Sequence, residues 1–174
     1  MEVAVGTGQN LEYYDMERCT EVIGVDYSVH MLAQAKEKCD AINAAAGEGK
    51  ARLKLGLADA ENLPYDDDSF DTVIQTFGLC SVESPDKVLA EMSRVTKPDG
   101  KVLLLEHGLG HYSWINAYLD RRAPAHARNW GCWFNRDIGA LLAAGPLEVT
   151  SYKKKHFGTT HIIEARPEKA LPKE

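Results

Sequence analysis

The strongest constraint in this chain is an alternation. Short apolar runs rich in β-branched residues take turns with helix-forming stretches, and the early runs end on small, polar or acidic residues. Glu2–Val5 reads as the end of a strand, Gly6-Thr7-Gly8 as a tight turn and Asn10–Arg18 as a helix. Glu21–Asp26 follows as a second strand, with Val22, Ile23 and Val25 as its apolar residues. Ser28 suits the N-cap of a helix running to about Ala45, along which Met31, Leu32, Ala35 and Cys39 recur at helical spacing. Ala51–Leu57 reads as a third strand, and Phe70–Thr76 as a fourth that is apolar enough to be buried on both faces. Pro85 opens a helix striped by Val88, Leu89, Met92 and Val95. Pro98-Asp99-Gly100 reads as a turn before a fifth strand, Lys101–Glu106. Arg136–Ala144 reads as a helix stopped by Gly145-Pro146. Leu147–His156 and Thr159–Arg166 form an antiparallel hairpin about Phe157-Gly158. Strands joined through helices are parallel neighbours, so the pattern predicts a doubly wound α/β domain with a mostly parallel sheet. In such sheets ligands bind beyond the carboxyl ends of the strands.

The chain has 174 residues, which suits one domain, here 1–167, followed by a frayed tail over 168–174. Ala44–Lys50 is the nearest approach to a linker. Apolar runs such as Val102–Leu105 fall far short of the roughly 20 residues that a spanning helix needs. A net charge of −6 argues against a nucleic-acid footprint. Cys19, Cys39, Cys80 and Cys132 show no CxxC or other metal spacing, so they read as scattered reduced thiols.

Four signals fall at strand ends. Small residues at Ala4, Gly6 and Gly8 let backbone approach a ligand, and the expected helix behind them would turn its amides to the same space. Asp26 ends the second strand, where a carboxylate either accepts the hydroxyls of a ribose or caps the following helix. Ala58-Asp59-Ala60-Glu61-Asn62-Leu63-Pro64-Tyr65 follows the third strand, and an acidic residue among small ones suits an adenine amino group or an acidic surface loop. Ser69–Gln75 leads into the loop Thr76-Phe77-Gly78-Leu79.

The order of these signals from Glu2 to Glu106, with the run Lys97–Glu106, resembles the class I S-adenosylmethionine-dependent methyltransferases. That resemblance implies a Rossmann-like seven-stranded sheet with an antiparallel last strand, and S-adenosylmethionine as cofactor. It implies Glu2 near the methionine amino group, Gly6 and Gly8 beneath it, Asp26 on the ribose and Asp59 by the adenine. It extends the cofactor-binding set to Ala4, Tyr27, Ser28, Met31, Ala60 and Gln75. Ala4 stands where the family carries its first glycine, a departure that the loop tolerates if the backbone angles there are ordinary. The resemblance also implies a helix before the first strand, whereas Met1 already lies at that strand, so the domain reads as lacking its front.

Methyl transfer from a sulfonium is an in-line displacement that needs alignment more than an obligatory nucleophile. The acceptor side is therefore marked poorly. His107 lies at the carboxyl end of the fifth strand, either as a general base or as a hydrogen-bonded structural histidine. Tyr112, Trp114, Tyr118, Trp130, Trp133 and Phe134 either line an apolar pocket or form core under a lid. His111, His126 and Cys132 lack metal-ligand spacing, so no metal is expected. Lys153-Lys154-Lys155 reads as a solvated strand end.

Glu106-His107-Gly108, the stretch Ala123–Ala127, Gly131–Ile138 and His156–Thr160 are similar to the Oms-type methyltransferases of fungal mitochondria. This narrower resemblance implies a mitochondrial location at the inner membrane, with attachment through residues absent from this chain. It implies a poorly defined substrate within a branch related to ubiquinone and phospholipid methyltransferases, so a small-molecule, quinone or lipid-like acceptor is expected, while Gln75-Thr76-Phe77-Gly78 after the fourth strand and the acidic charge argue against a nucleic acid. The alternative reading is a non-catalytic, methyltransferase-like subunit of a mitochondrial protein assembly.

Overall fold

The computed structural model describes residues 1–47 and 52–169. Its strands form a seven-stranded sheet in the order Arg52–Leu57, Glu21–Asp26, Glu2–Val3, Phe70–Thr76, Thr96–His107, Thr160–Pro167 and Leu147–Lys155. The chain divides into two compact units, Met1–Pro64 and Tyr65–Glu174.

In the first unit β1 (Glu2–Val3), β2 (Glu21–Asp26) and β3 (Arg52–Leu57) are parallel, and α1 (Val29–Ala46) connects β2 to β3. The Ser28 hydroxyl caps α1 by accepting the Met31 amide at 3.3 Å, as its sequence position predicts. The core is built from Val5, Leu11, Val22, Cys39 and Leu53, with Tyr14, Met16, Leu32 and Ile42 packed against it. Asn43 on α1 holds β3 directly. Its side chain donates to the Leu53 carbonyl and accepts from the Leu53 amide, each at 2.9 Å. The expected helix over Asn10–Arg18 is reduced to one 3₁₀ turn, Leu11–Tyr13. Local polar contacts replace it: the Asp15 carboxylate and carbonyl accept from Glu17 and Arg18, and the Tyr14 hydroxyl turns to Glu2. Ala44–Ala46 of the expected linker belong instead to α1, Gly47 closes that helix with a φ of +78°, and residues 48–51 lie outside the described residues.

In the second unit β4 (Phe70–Thr76) and β5 (Thr96–His107) are parallel. β7 (Thr160–Pro167) runs antiparallel to both β5 and β6 (Leu147–Lys155), which bears out the closing hairpin. α2 (Pro85–Val95) buries the stripe legible in the sequence: Val88, Leu89, Met92 and Val95 are all inaccessible. The expected turn at Pro98-Asp99-Gly100 falls inside β5 as an irregularity. Phe70 pairs with Thr96 and Thr72 with Lys101, so the residues between bulge out of the ladder. α4 (Ile138–Ala144) begins later than expected because Asp137 is its N-cap, accepting the Ala140 amide at 3.0 Å. α3 (Ser113–Trp130) had no sequence signal: it carries Pro124 and buries only Ala123, so it has no continuous apolar stripe. Of the expected tail, Glu168 and Lys169 are anchored. The Lys169 ammonium donates to the Arg94 and Thr96 carbonyls at 2.7 and 2.8 Å, where α2 ends, and to Asp68 at 2.6 Å. Residues 170–174 lie outside the described set.

Ala4 does not have ordinary backbone angles. Its φ is +56°, the left-handed region in which an alanine costs roughly 1–2 kcal/mol. Replacing it with glycine relieves that strain against a loss of roughly 0.5–1 kcal/mol in chain entropy. Ala4→Gly is therefore expected to raise the unfolding free energy by up to about 1 kcal/mol in urea titrations. A clear loss of stability would contradict the strain.

His161 is 1% exposed, and its Nδ1 lies 2.6 Å from the Tyr152 hydroxyl. Burial, with Lys154 adding to it, holds its pKa down to about 4. Below the ordinary histidine pKa of about 6.5 the unfolded chain takes up a proton that the folded chain refuses. This contribution to stability is complete above that value and is lost as the pH falls towards 4. Between about pH 7 and about pH 5 it amounts to about 2 kcal/mol. His161→Gln should remove that part of the slope in denaturant midpoints measured at the two pH values.

Candidate functional site

The glycine-spaced loop of the first unit alternates in hand. Ala4, Gly6 and Gly8 have φ values of +56°, +56° and +69°. The two glycines serve different ends. A Cβ on Gly8 would meet Leu11 Cδ1 at 2.7 Å and Ala35 at 3.2 Å, so Gly8 lets the following turn pack on α1. Among the described residues a Cβ on Gly6 would meet nothing within 4 Å, so open space lies over Gly6.

Asp26 clamps this loop to β2. One carboxylate oxygen accepts the Gly6 amide at 2.8 Å, and the other accepts the Ser28 amide at 2.8 Å. The Asp26 carbonyl accepts the Ala58 amide at 3.1 Å, which ties the end of β3 to the same place. The cap of α1 belongs to Ser28 and not to Asp26. Each carboxylate oxygen keeps a further lone pair. Beyond these strand ends large apolar side chains stand uncovered: Tyr27 is 78% and Met31 43% exposed. Asp59 heads a small turn in which its side chain accepts the Glu61 amide at 2.9 Å and its carbonyl the Asn62 amide at 3.1 Å, with Ala60 between them.

Glu2 is buried with both carboxylate oxygens engaged. Asn10 donates to one at 2.8 Å and the Tyr14 hydroxyl to the other at 2.7 Å. Burial raises the Glu2 pKa, against the pull of those two donors, and burial beside Glu2 raises that of Tyr14. Asn10 and Tyr14 carried no signal in the sequence, because only the fold brings them onto Glu2.

In the second unit Gln75, the penultimate residue of β4, has its amide buried, and among the described residues neither its oxygen nor its nitrogen has a hydrogen-bond partner. Glu106 on β5 is fully buried and accepts the Gly78 and Leu79 amides at 3.1 and 3.2 Å. Burial pushes its pKa up to about 8 in spite of those donors. His107 stacks on Phe77 at 5.3 Å, and its Nε2 lies 3.0 Å from Cys132 Sγ. Burial, then His126, lowers its pKa. A base role would require the Cys132 contact to open. His126 packs on the Phe134 ring at 4.7 Å. The aromatic segment is not core: Tyr112, Trp114, Tyr118 and Trp130 are 50% to 76% exposed. α3 turns few of its side chains inward, which leaves these rings in solvent. Lys153, Lys154 and Lys155 are exposed on β6, as the sequence suggested.

Comparison with known proteins sets this geometry in a family. A family model described as a methyltransferase domain matches residues 1–104. The mitochondrial methyltransferase OMS1 of Saccharomyces cerevisiae is 38% identical over 176 residues, covering 95% of this chain and 37% of that protein. The demethylmenaquinone methyltransferase of Renibacterium salmoninarum is 38% identical over 131 residues, covering 73% of this chain and 50% of its own length. The chain thus spans half or less of the length of these two relatives. Among solved structures, the [4+2]-cyclase SpnF superposes with a TM-score of 0.74 at 17% identity, covering 95% of this chain and 73% of that one. Likeness at that identity speaks for the fold, which bears out the Rossmann-like seven-stranded sheet expected from the motifs. The family model takes in the glycine loop, the Asp26 clamp and the first four strands together, and on that match the chain belongs to the methyltransferase-domain family.

Proposed function

We propose that this chain is the catalytic domain of a mitochondrial enzyme that binds S-adenosylmethionine and transfers its methyl group to a quinone or lipid-like acceptor. The observation that carries this reading is the left-handed loop that Asp26 holds with open space over Gly6. A sterically open glycine beside an anchored carboxylate suits a ligand carrying both a compact polar chain and a vicinal diol. The quinone class of acceptor is supported by a relative named for demethylmenaquinone, and the mitochondrial location by the yeast relative.

S-adenosylmethionine, when bound, supplies an electrophilic methyl group on a sulfonium sulfur. The chain's own residues bind and orient. The free lone pairs of Asp26 accept the ribose hydroxyls, while its bonds to Gly6 and Ser28 keep the carboxylate from turning away. Glu2, fixed by Asn10 and Tyr14, offers its charge to the amino group. Tyr27 and Met31 supply apolar surface, and Asp59 and Ala60 the polar edge, for the adenine. Gln75 is included on sequence resemblance.

Saturating S-adenosylmethionine, or its demethylated product, should raise the melting temperature. Ligand at a hundred times its Kd contributes about 2.7 kcal/mol. An unmoved melting temperature with no calorimetric heat would refute the cofactor assignment. Transfer of labelled methyl from the cofactor into the quinone or lipid fraction of a mitochondrial extract tests the acceptor class. Cofactor binding without transfer to any fraction would instead favour a non-catalytic subunit. Asp26→Ala should weaken cofactor binding by at least about tenfold, since it removes a charged acceptor. Equal affinity in that variant would take Asp26 out of the site.

Gln75→Leu separates stability from binding. It removes an unpartnered buried amide, so the free chain should gain about 1 kcal/mol or more while cofactor affinity falls. A less stable variant with unchanged affinity would give Gln75 a purely structural role.

A further inference from the structure

The second unit brings together three side chains that are far apart in sequence. Cys80 lies beyond β4, His107 is the last residue of β5, and Cys132 follows α3. One ligand atom from each lies within 4.8 Å of the others. His107 Nε2 lies 3.0 Å from Cys132 Sγ. We propose that Cys80, His107 and Cys132 form a zinc site, independent of the reading of the cofactor loop.

The donor set is chemically selective. Two sulfurs and an imidazole, without a carboxylate, favour a soft or borderline ion such as Zn²⁺ over Mg²⁺ or Ca²⁺. Zinc bonds of about 2.3 Å to sulfur and about 2.0–2.1 Å to nitrogen, at a tetrahedral angle, put donor atoms about 3.5–3.8 Å apart. With one separation at 3.0 Å and none beyond 4.8 Å, metallation needs only small side-chain movements. The charges also balance: two thiolates and a neutral imidazole cancel the dication, and a neutral complex is the form that a buried position tolerates. Both cysteines are buried, at 1% and 9% exposure.

The backbone already holds the ligands in place. The Trp133 amide donates to the Cys80 carbonyl at 2.8 Å, which locks the two cysteine-bearing loops together. The Gly108 amide donates to the Thr159 carbonyl at 3.0 Å and fixes the end of β5 just past His107. The Ser81 hydroxyl, 3.4 Å from Cys80 Sγ, is placed to donate to a metal-bound thiolate. On binding, the two S–H bonds lose their protons to solvent, two S–Zn bonds and one N–Zn bond form, and no electron is transferred. Three protein ligands leave the fourth position to water or to an incoming ligand.

The test starts from the reduced, metal-stripped chain titrated with Co²⁺. One equivalent should bring up a thiolate-to-cobalt charge-transfer band and the visible bands of a tetrahedral ion, both abolished by Zn²⁺. X-ray absorption of the zinc form should show two sulfurs at about 2.3 Å and a nitrogen at about 2.0–2.1 Å. Cys80→Ser and Cys132→Ser should each lower affinity by at least about tenfold and leave one sulfur in the shell. Cys19→Ser, in the first unit, should change neither. The proposal fails if no charge-transfer band appears, if the zinc shell holds only nitrogen and oxygen, or if binding persists in the two serine variants. It fails equally if the chain takes up no metal under reducing conditions and only joins Cys80 to Cys132 on oxidation. Should the serine variants not fold, the sulfur count of the unaltered chain decides the matter alone.

Discussion

The first unit depends on one carboxylate. Asp26 accepts the Gly6 amide with one oxygen and the Ser28 amide with the other, each at 2.8 Å. That pair of bonds joins the loop after β1 to the start of α1, and the Asp26 carbonyl adds the end of β3. Charge-assisted bonds of this kind are roughly twice as strong as neutral ones, and two of them fix the carboxylate plane. The strained Ala4 is tolerated in this setting. The Val5 amide is bound to the Val25 carbonyl at 2.9 Å, so the loop is held on both sides of its left-handed turn.

The second unit follows a different economy. Its apolar stripe on α2 is conventional, but polar groups are buried near the carboxyl ends of β4 and β5. Glu106 is stabilised by two backbone amides, the Gln75 amide has no hydrogen-bond partner among the described residues, and His107 meets a thiol. Burying such groups costs free energy unless they are paired, so a fold that keeps them there concentrates chemistry at those strand ends. Gly78 belongs to the same device. A Cβ there would meet the Gln75 side chain at 2.5 Å, so the glycine makes room for the buried amide.

Most elements were legible because their causes are local. The α2 stripe, the Ser28 cap and the C-terminal hairpin follow from periodicity and turn chemistry within a few residues. The misses have equally physical causes. The stretch after Gly8 reads as helix, yet the chain turns extended at Tyr14, whose hydroxyl donates to Glu2, a contact that no local pattern shows. α3 is helical without an apolar stripe, so periodicity could not reveal it. The glycine loop announced a ligand, but the division of labour between Gly6 and Gly8 rests on what lies over each Cα.

The sequence by itself determined the order of the strands and of α1, α2 and α4, the glycine loop and the acidic residues at two strand ends, because hydrophobic period and turn propensity act over short spans. Only the tertiary structure decided that Ala4 is left-handed, that Asp26 is a clamp, and that Asn10 and Tyr14 hold Glu2. It also decided that Cys80, His107 and Cys132 meet. Their spacing along the chain carries no metal signature, because the ligands are brought together by parallel strands and loops. Contacts of that kind depend on how separate segments pack, which no local pattern records.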